Sequence, residues 1–200
     1  RDDVVAAYRR TFTRDNCVLA FSGDLDDLEA SRASERLLAA LPAGTGPRRE
    51  LADPDFGTGR RLVFVDKPER TQTQLLIGGI GTHPRDDDHV ALHVANTVFG
   101  GTFTSRLMRE VRSKRGWSYG AYASLPIDVC REAFSMWTHP GSDDADKCLA
   151  LELSLLEGLR DGGIEPRELS FAKKYLVRSH AFEVDTASKR VHRKLATSLF

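Results

Sequence analysis

Two groups of residues have the types and spacing for chemistry. His89 and His93 lie four apart in "HVALH". Residues i and i+4 share a helix face, so one ion could bridge the two imidazoles. A zinc hydrolase also needs a carboxylate general base beside such a pair. The three intervening residues are Val90, Ala91 and Leu92, and none can serve. The pair runs beside an apolar stripe, in line with Asn96 and Thr97, and reads as the polar flank of an amphipathic helix. The second group lies in "SRLMREVRSKRGWSYGAYAS", Ser105 to Ser124. Five cations crowd one helical stretch: Arg106, Arg109, Arg112, Lys114 and Arg115. Arg112 falls in the last turn before Gly116, and Tyr119 opens the strand that follows. A helix–glycine–strand turn brings these two side chains to one side. A guanidinium fork and a phenol hydroxyl suit a carbonyl or a developing oxyanion.

Other candidates carry less. His83, His139, His180 and His192 have no ligand spacing. The three cysteines, Cys17, Cys130 and Cys148, are odd in number, far apart and without C-x-x-C spacing, which excludes a thiolate zinc site and a disulfide scaffold. "GGIG", Gly78 to Gly81, reads as turn chemistry at a strand end. Gly100 and Gly101 read as a helix stop, followed by a new N-cap at Thr104 or Ser105. There is no phosphate loop and no nucleophile elbow.

The elements that must position these residues follow from periodicity and punctuation. Asp2 to about Phe12 predicts a short helix, and "NCVLAFSGDL" a buried strand. Asp26 to Leu41 predicts a helix. Residues 42–59, rich in Pro and Gly, predict a loop or linker. "RRLVFVDK" and "TQTQLLIGGIG" predict two strands about a turn at Pro68 and Glu69. Helices are expected over Asp87–Phe99 and Ser105–Arg115, then an antiparallel pair in "WSYGAYASLPI" and "EAFSMWTHPG". Ser142 is placed to cap a helix whose core face includes Leu149, Leu153, Leu156 and Leu159. A last long helix starts at Glu165-Pro166 and is interrupted near Asp185. The class is α+β: a mainly antiparallel sheet with helices packed mostly on one face.

The 200 residues contain 29 basic and 29 acidic side chains. That balance offers no field of the kind nucleic-acid binders use. No apolar run approaches the roughly 20 residues that cross a membrane. The chain reads as a single domain over residues 1–200, a piece of a longer protein.

Four collinear stretches resemble peptidase family M16, the pitrilysin- and insulinase-like inverted zincins, in its C-terminal, zinc-free domain. They are "NCVLAFSGDLDDLEA"; "VDKPERTQTQLLIG", with Gln72 at the family's glutamine position; "NTVFGGTFTSRLMREVRSKRGWSYGAYAS", which carries the family's glycine pair, Ser-Arg-Leu and Arg-to-Tyr spacing; and "IEPRELSFAKKYL". The resemblance implies a clamshell in which one half holds zinc through H-x-x-E-H. The facing half contributes an arginine and a tyrosine, seven apart, to substrate binding and transition-state stabilisation. Those positions match Arg112 and Tyr119. No H-x-x-E-H occurs in these residues. The resemblance therefore implies no metal or cofactor in this chain, zinc in a homologous partner domain or subunit, and a peptide as substrate. It also leaves a second expectation, a catalytically inactive homologue that serves as a structural or assembly subunit.

Overall fold

The structure is a computed structural model that describes residues 1–47, 73–128 and 130–199, together with Gly59, Leu62, Val63, Val65 and Glu69. It forms two compact units. One comprises Arg1–Ala52 with Ser179–Phe200, and the other Asp53–Arg178.

In the first unit, α1 spans Asp2–Thr11 and α2 spans Asp27–Ala39. Asp26 starts α2 through a capping box: its carboxylate accepts from the Glu29 N–H at 2.7 Å, and Glu29 accepts from the Asp26 N–H at 3.2 Å. Each link satisfies a backbone donor that the first turn leaves free. Among the described residues, the predicted buried strand at Asn16–Leu25 forms no ladder. Cys17 is extended, but no described residue pairs with this stretch, and Val18 and Phe21 are exposed. The strand predicted in "RRLVFVDK", the turn at Pro68, most of the loop at 42–59 and Gln72 lie largely outside the described residues. The predicted break in the last helix is present. The long helix ends at Glu183, and a new one, Ala187–Leu199, is capped by the Thr186 hydroxyl, which accepts from the Lys189 N–H at 3.2 Å.

The second unit is built on a three-stranded antiparallel sheet: β1 (Leu75–Ile80), β2 (Ala121–Ser124) and β3 (Ala133–Thr138), in the order β1-β3-β2. The register sets Leu75 opposite Thr138 on one side and Ala121 opposite it on the other. Alternation along β2 and β3 sends Ala121, Ala123, Met136 and Thr138 inward. Gly78 and Gly79 belong to β1 itself, not to a turn. The glycine that crowding demands is Gly81, where a Cβ would lie 2.4 Å from the Glu132 carbonyl oxygen.

Helices cover the inward face. α3 (His89–Phe99) buries Thr97, Val98 and Phe99. α4 (Ala145–Gly162) follows a short 3-10 turn at Ser142–Asp144, so the helix begins beyond Ser142 and Asp144 takes the N-cap position. Its core stripe is Cys148, Leu151, Glu152, Leu155, Leu156 and Leu159, whereas Leu149 and Leu153 are exposed. Leu156 and Leu159 face the core as predicted, whereas in the first half of the helix Cys148 and Glu152 take the inward places expected of Leu149 and Leu153. α5 (Pro166–Glu183) starts on a proline, as its sequence requires. Phe99, Leu107, Met136 and Val111 are almost wholly removed from water. Each such side chain contributes on the order of 1.5–3 kcal/mol of apolar transfer.

Glu152 is the exception in that core. It is 0% exposed, and neither carboxyl oxygen has a hydrogen-bond partner. Burial pushes its carboxyl up from 4.5 to about 6, with the nearby Thr138 hydroxyl acting in the opposite direction. Burial likewise raises the Cys148 thiol, and the Glu152 carboxyl one turn on adds to the effect.

Candidate functional site

The segment after α3 does not continue as an ordinary helix. Met108–Ser113 is π-helical, and the Lys114 N–H reaches back to the Arg109 carbonyl at 3.0 Å. Its entry is capped by the Ser105 hydroxyl, which accepts from the Met108 N–H at 3.4 Å. Leu107, Met108 and Val111 anchor the turn in the core with 0% exposure. π-Helical turns are rare and concentrate at functional sites, where the extra residue in the turn re-aims a side chain. The turn closes through the Trp117 N–H to the Val111 carbonyl at 3.2 Å, and Gly116 makes the reversal at φ 67°. That backbone region favours glycine.

Arg112 and Tyr119 come together as their spacing predicts. The Arg112 guanidinium carbon lies 4.5 Å from the centre of the Tyr119 ring. On its other contact it lies 4.4 Å from the centre of the Phe103 ring. The cation is thus held between two aromatic faces, an arrangement worth roughly 0.5–2 kcal/mol per ring depending on exposure. Phe103 did not stand out in the sequence; the signal is its place between the glycine pair and Ser105, in the loop that leads into the arginine turn. Arg112 Nη1 is buried and has no hydrogen-bond partner. Tyr119 is 84% exposed. A half-sequestered cation therefore sits beside a phenol presented to solvent.

Tyr119 is held from below by its neighbours. The Ser118 hydroxyl is buried, donates to the Gly120 carbonyl at 2.7 Å and accepts from the His139 N–H at 3.1 Å. This ties the start of β2 to the end of β3. Tyr119 also lines a cleft of about 570 Å³ with Trp117, Tyr122, Trp137 and His139. The Tyr122 and Trp137 rings face each other across the two strands at 4.7 Å.

The outer edge of β2 is already occupied. The Ala121 N–H points at Met108 Sδ at 3.2 Å, the Ala123 N–H donates to the Gly100 carbonyl at 3.1 Å, and Asn96 Nδ2 donates to the Ala123 carbonyl at 3.2 Å. A peptide cannot add there as a further strand without displacing these bonds. The same contacts explain the first glycine of the pair. Gly100 has φ −150°, so no left-handed conformation is involved, but a Cβ would sit 2.4 Å from the Ala123 nitrogen. The glycine ends α3 as its C-cap, as the sequence predicts, and also serves a close approach between helix end and strand.

The remaining cations of the segment are paired. Arg106 donates from Nε to Glu168 and from Nη2 to the Gly163 carbonyl, each at 2.9 Å. Arg109, Lys114 and Arg115 converge on Glu110 at 3.4, 2.8 and 3.0 Å. Lys114 first, with the other two, draws the Glu110 carboxyl down to about 2.

The histidine pair is half-buried, with ring centres 6.4 Å apart. Among the described residues, no group of three or more His, Cys, Asp or Glu is placed to hold a metal ion. With two imidazoles and no third ligand among the described residues, the donor set described here does not fit catalytic zinc. No helix among the described residues is long and apolar enough to cross a membrane.

Comparison with known proteins agrees with this architecture. The sequence model of the peptidase M16 inactive domain matches residues 1–176. An uncharacterized zinc protease of Mycobacterium tuberculosis is 30% identical over 201 residues, covering 96% of this chain and 44% of the relative. A non-peptidase homolog of Helicobacter pylori is 23% identical over 193 residues, with the same 96% and 44% coverage. The crystal structure of a peptidase M16 inactive domain from Pseudomonas fluorescens matches at a TM-score of 0.81 and 25% identity, over 100% of this chain and 47% of that one. The chain thus spans less than half the length of these relatives.

Proposed function

Because the chain belongs to the peptidase M16 inactive-domain family, we propose that it is the zinc-free half of a metallopeptidase and completes a peptide-binding site whose metal is carried elsewhere. The zinc-bearing half is a homologous domain in the same protein or in a second subunit, and it supplies the metal. Within this chain, the Arg112 guanidinium donates to a carbonyl oxygen of the substrate peptide. The Tyr119 hydroxyl donates beside it, so that charge developing on that oxygen is met by two donors already in place. The observation that carries this reading is the Arg112 side chain itself: fixed between Phe103 and Tyr119, with a buried Nη1 that lacks an acceptor. A buried guanidinium donor without a partner is costly, and a substrate oxygen would relieve that cost.

The test is peptide hydrolysis by the complete protein with its zinc-bearing half. Arg112→Ala and Tyr119→Phe should each lower kcat/KM by about 10²–10³. Unchanged hydrolysis in both variants would sink the proposal. A second reading is a non-catalytic structural or assembly role; the Helicobacter pylori relative, called a non-peptidase homolog, supports its non-catalytic part alone. Finding H-x-x-E-H in the adjoining half favours the peptidase; its absence there and in any partner subunit favours assembly.

A further inference from the structure

Of the five cations between Ser105 and Arg115, four have carboxylate partners: Glu168 takes Arg106, and Glu110 takes Arg109, Lys114 and Arg115. Arg112 has no ion pair among the described residues, and its Nη1 has no hydrogen-bond acceptor. The Phe103 and Tyr119 rings lie against the cation, their centres 4.4 and 4.5 Å from the guanidinium carbon. A guanidinium presents its donors in its own plane, as a fork of parallel N–H groups. A neutral carbonyl satisfies part of that fork and leaves the charge uncompensated. A carboxylate matches it in plane with two bonds and neutralises it.

We propose that Arg112 is a receptor for the free C-terminal carboxylate of a peptide. This rests on the peptide-binding role above and names the chemical form that the site holds most tightly. Hydrolysis generates that form. Water adds to the amide carbonyl, the C–N bond breaks, a proton goes to the departing amine, and the acyl carbon leaves as a carboxylate. The donor that meets the carbonyl of the substrate then grips the carboxylate of the product harder, so the N-terminal product is a competitive inhibitor. Tyr119, stacked on Arg112 and lining the cleft with Tyr122 and Trp137, places the last side chain of that peptide against an aromatic wall.

The experiment is direct binding of fluorescent peptides to the complete protein, read by anisotropy, so that it does not depend on turnover. One peptide is used as the free acid, as the C-terminal amide, and as the amide with an internal glutamate. The free acid should bind at least about tenfold more tightly than the amide, since a hydrogen bond to a charged partner is worth roughly 1.5–3 kcal/mol. Arg112→Gln should abolish the difference, and Arg112→Lys, which keeps the charge without the fork, should retain only part of it. Equal affinity of acid and amide, or a preference that survives Arg112→Gln, overturns the proposal. A glutamate-bearing amide that binds as well as the acid overturns the C-terminal assignment in favour of side-chain carboxylates. If Arg112→Ala loses hydrolysis while acid and amide bind alike, the peptide-binding role stands and this inference falls.

Discussion

Replacing Glu152 with glutamine probes a carboxyl sealed in the core. The carboxyl is 0% exposed and lacks a hydrogen-bond partner. Its rise from 4.5 to about 6 corresponds to roughly 2 kcal/mol between the two protonation states. The sign follows from linkage. A carboxyl whose folded value is raised binds its proton more tightly in the native state. Below about pH 4.5 both states are protonated and no penalty applies; between about 4.5 and 6 the native protein loses stability; above 6 the full cost persists. Glutamine cannot ionise, so Glu152→Gln should remove this dependence and leave a constant offset from its own unmet amide bonds. The assay is urea denaturation of wild type and variant at pH 4 to 8. The gap in unfolding free energy should shift in favour of the variant by about 2 kcal/mol between pH 4.5 and 6 and then level off. Parallel profiles across that range would refute the reasoning.

Further outcomes follow from the same geometry. Asp86 accepts from Arg131 at 2.6 and 3.1 Å and from the His83 N–H at 2.9 Å, and these bonds, Arg131 first, hold its carboxyl well below the usual carboxylate range. Its contribution should be present above the ordinary value of 3.8 and fade as the pH falls below it, so Asp86→Asn should lower Tm at pH 7 and flatten the acid limb of the Tm profile. Gly100→Ala should destabilise by about 1–3 kcal/mol or more in denaturant melts, because the new methyl meets the backbone of β2. Phe103→Ala removes one of the two rings on Arg112 and should weaken peptide binding about two- to tenfold with little change in stability, read by the same anisotropy titration.

The sequence carries much of this architecture, and what it hides has physical causes. Helix starts at Asp26 and Pro166 and the break near Asp185 are legible because capping residues and proline act locally. The antiparallel pairing of β2 with β3 follows from alternation around a short connection. The apolar run at Asn16–Leu25 does not itself say whether a partner strand lies beside it, and none does among the described residues. Along α4, Leu156 and Leu159 are legible as core, but Leu149 and Leu153 mislead because burial depends on what the opposite layer offers, and here it admits Cys148 and Glu152. At the candidate site, the seven-residue separation of Arg112 and Tyr119 is visible in the chain, and so is the glycine that turns between them. The π-helical turn is invisible to a periodicity of 3.6. Phe103 is missed for another reason: a contact with the arginine nine residues on depends on how the intervening turn folds.

The central claim is that Arg112 and Tyr119 act as one unit on a peptide. The most direct measurement is a double-mutant cycle on kcat/KM for peptide hydrolysis by the complete protein, with Arg112→Ala, Tyr119→Phe and the two combined. The account predicts that each single change costs about 10²–10³ and that the double variant loses little more than the worse single one, since either change disrupts the same pair. Losses that multiply would mean two independent roles, and rates unchanged throughout would mean that the pair takes no part in the reaction.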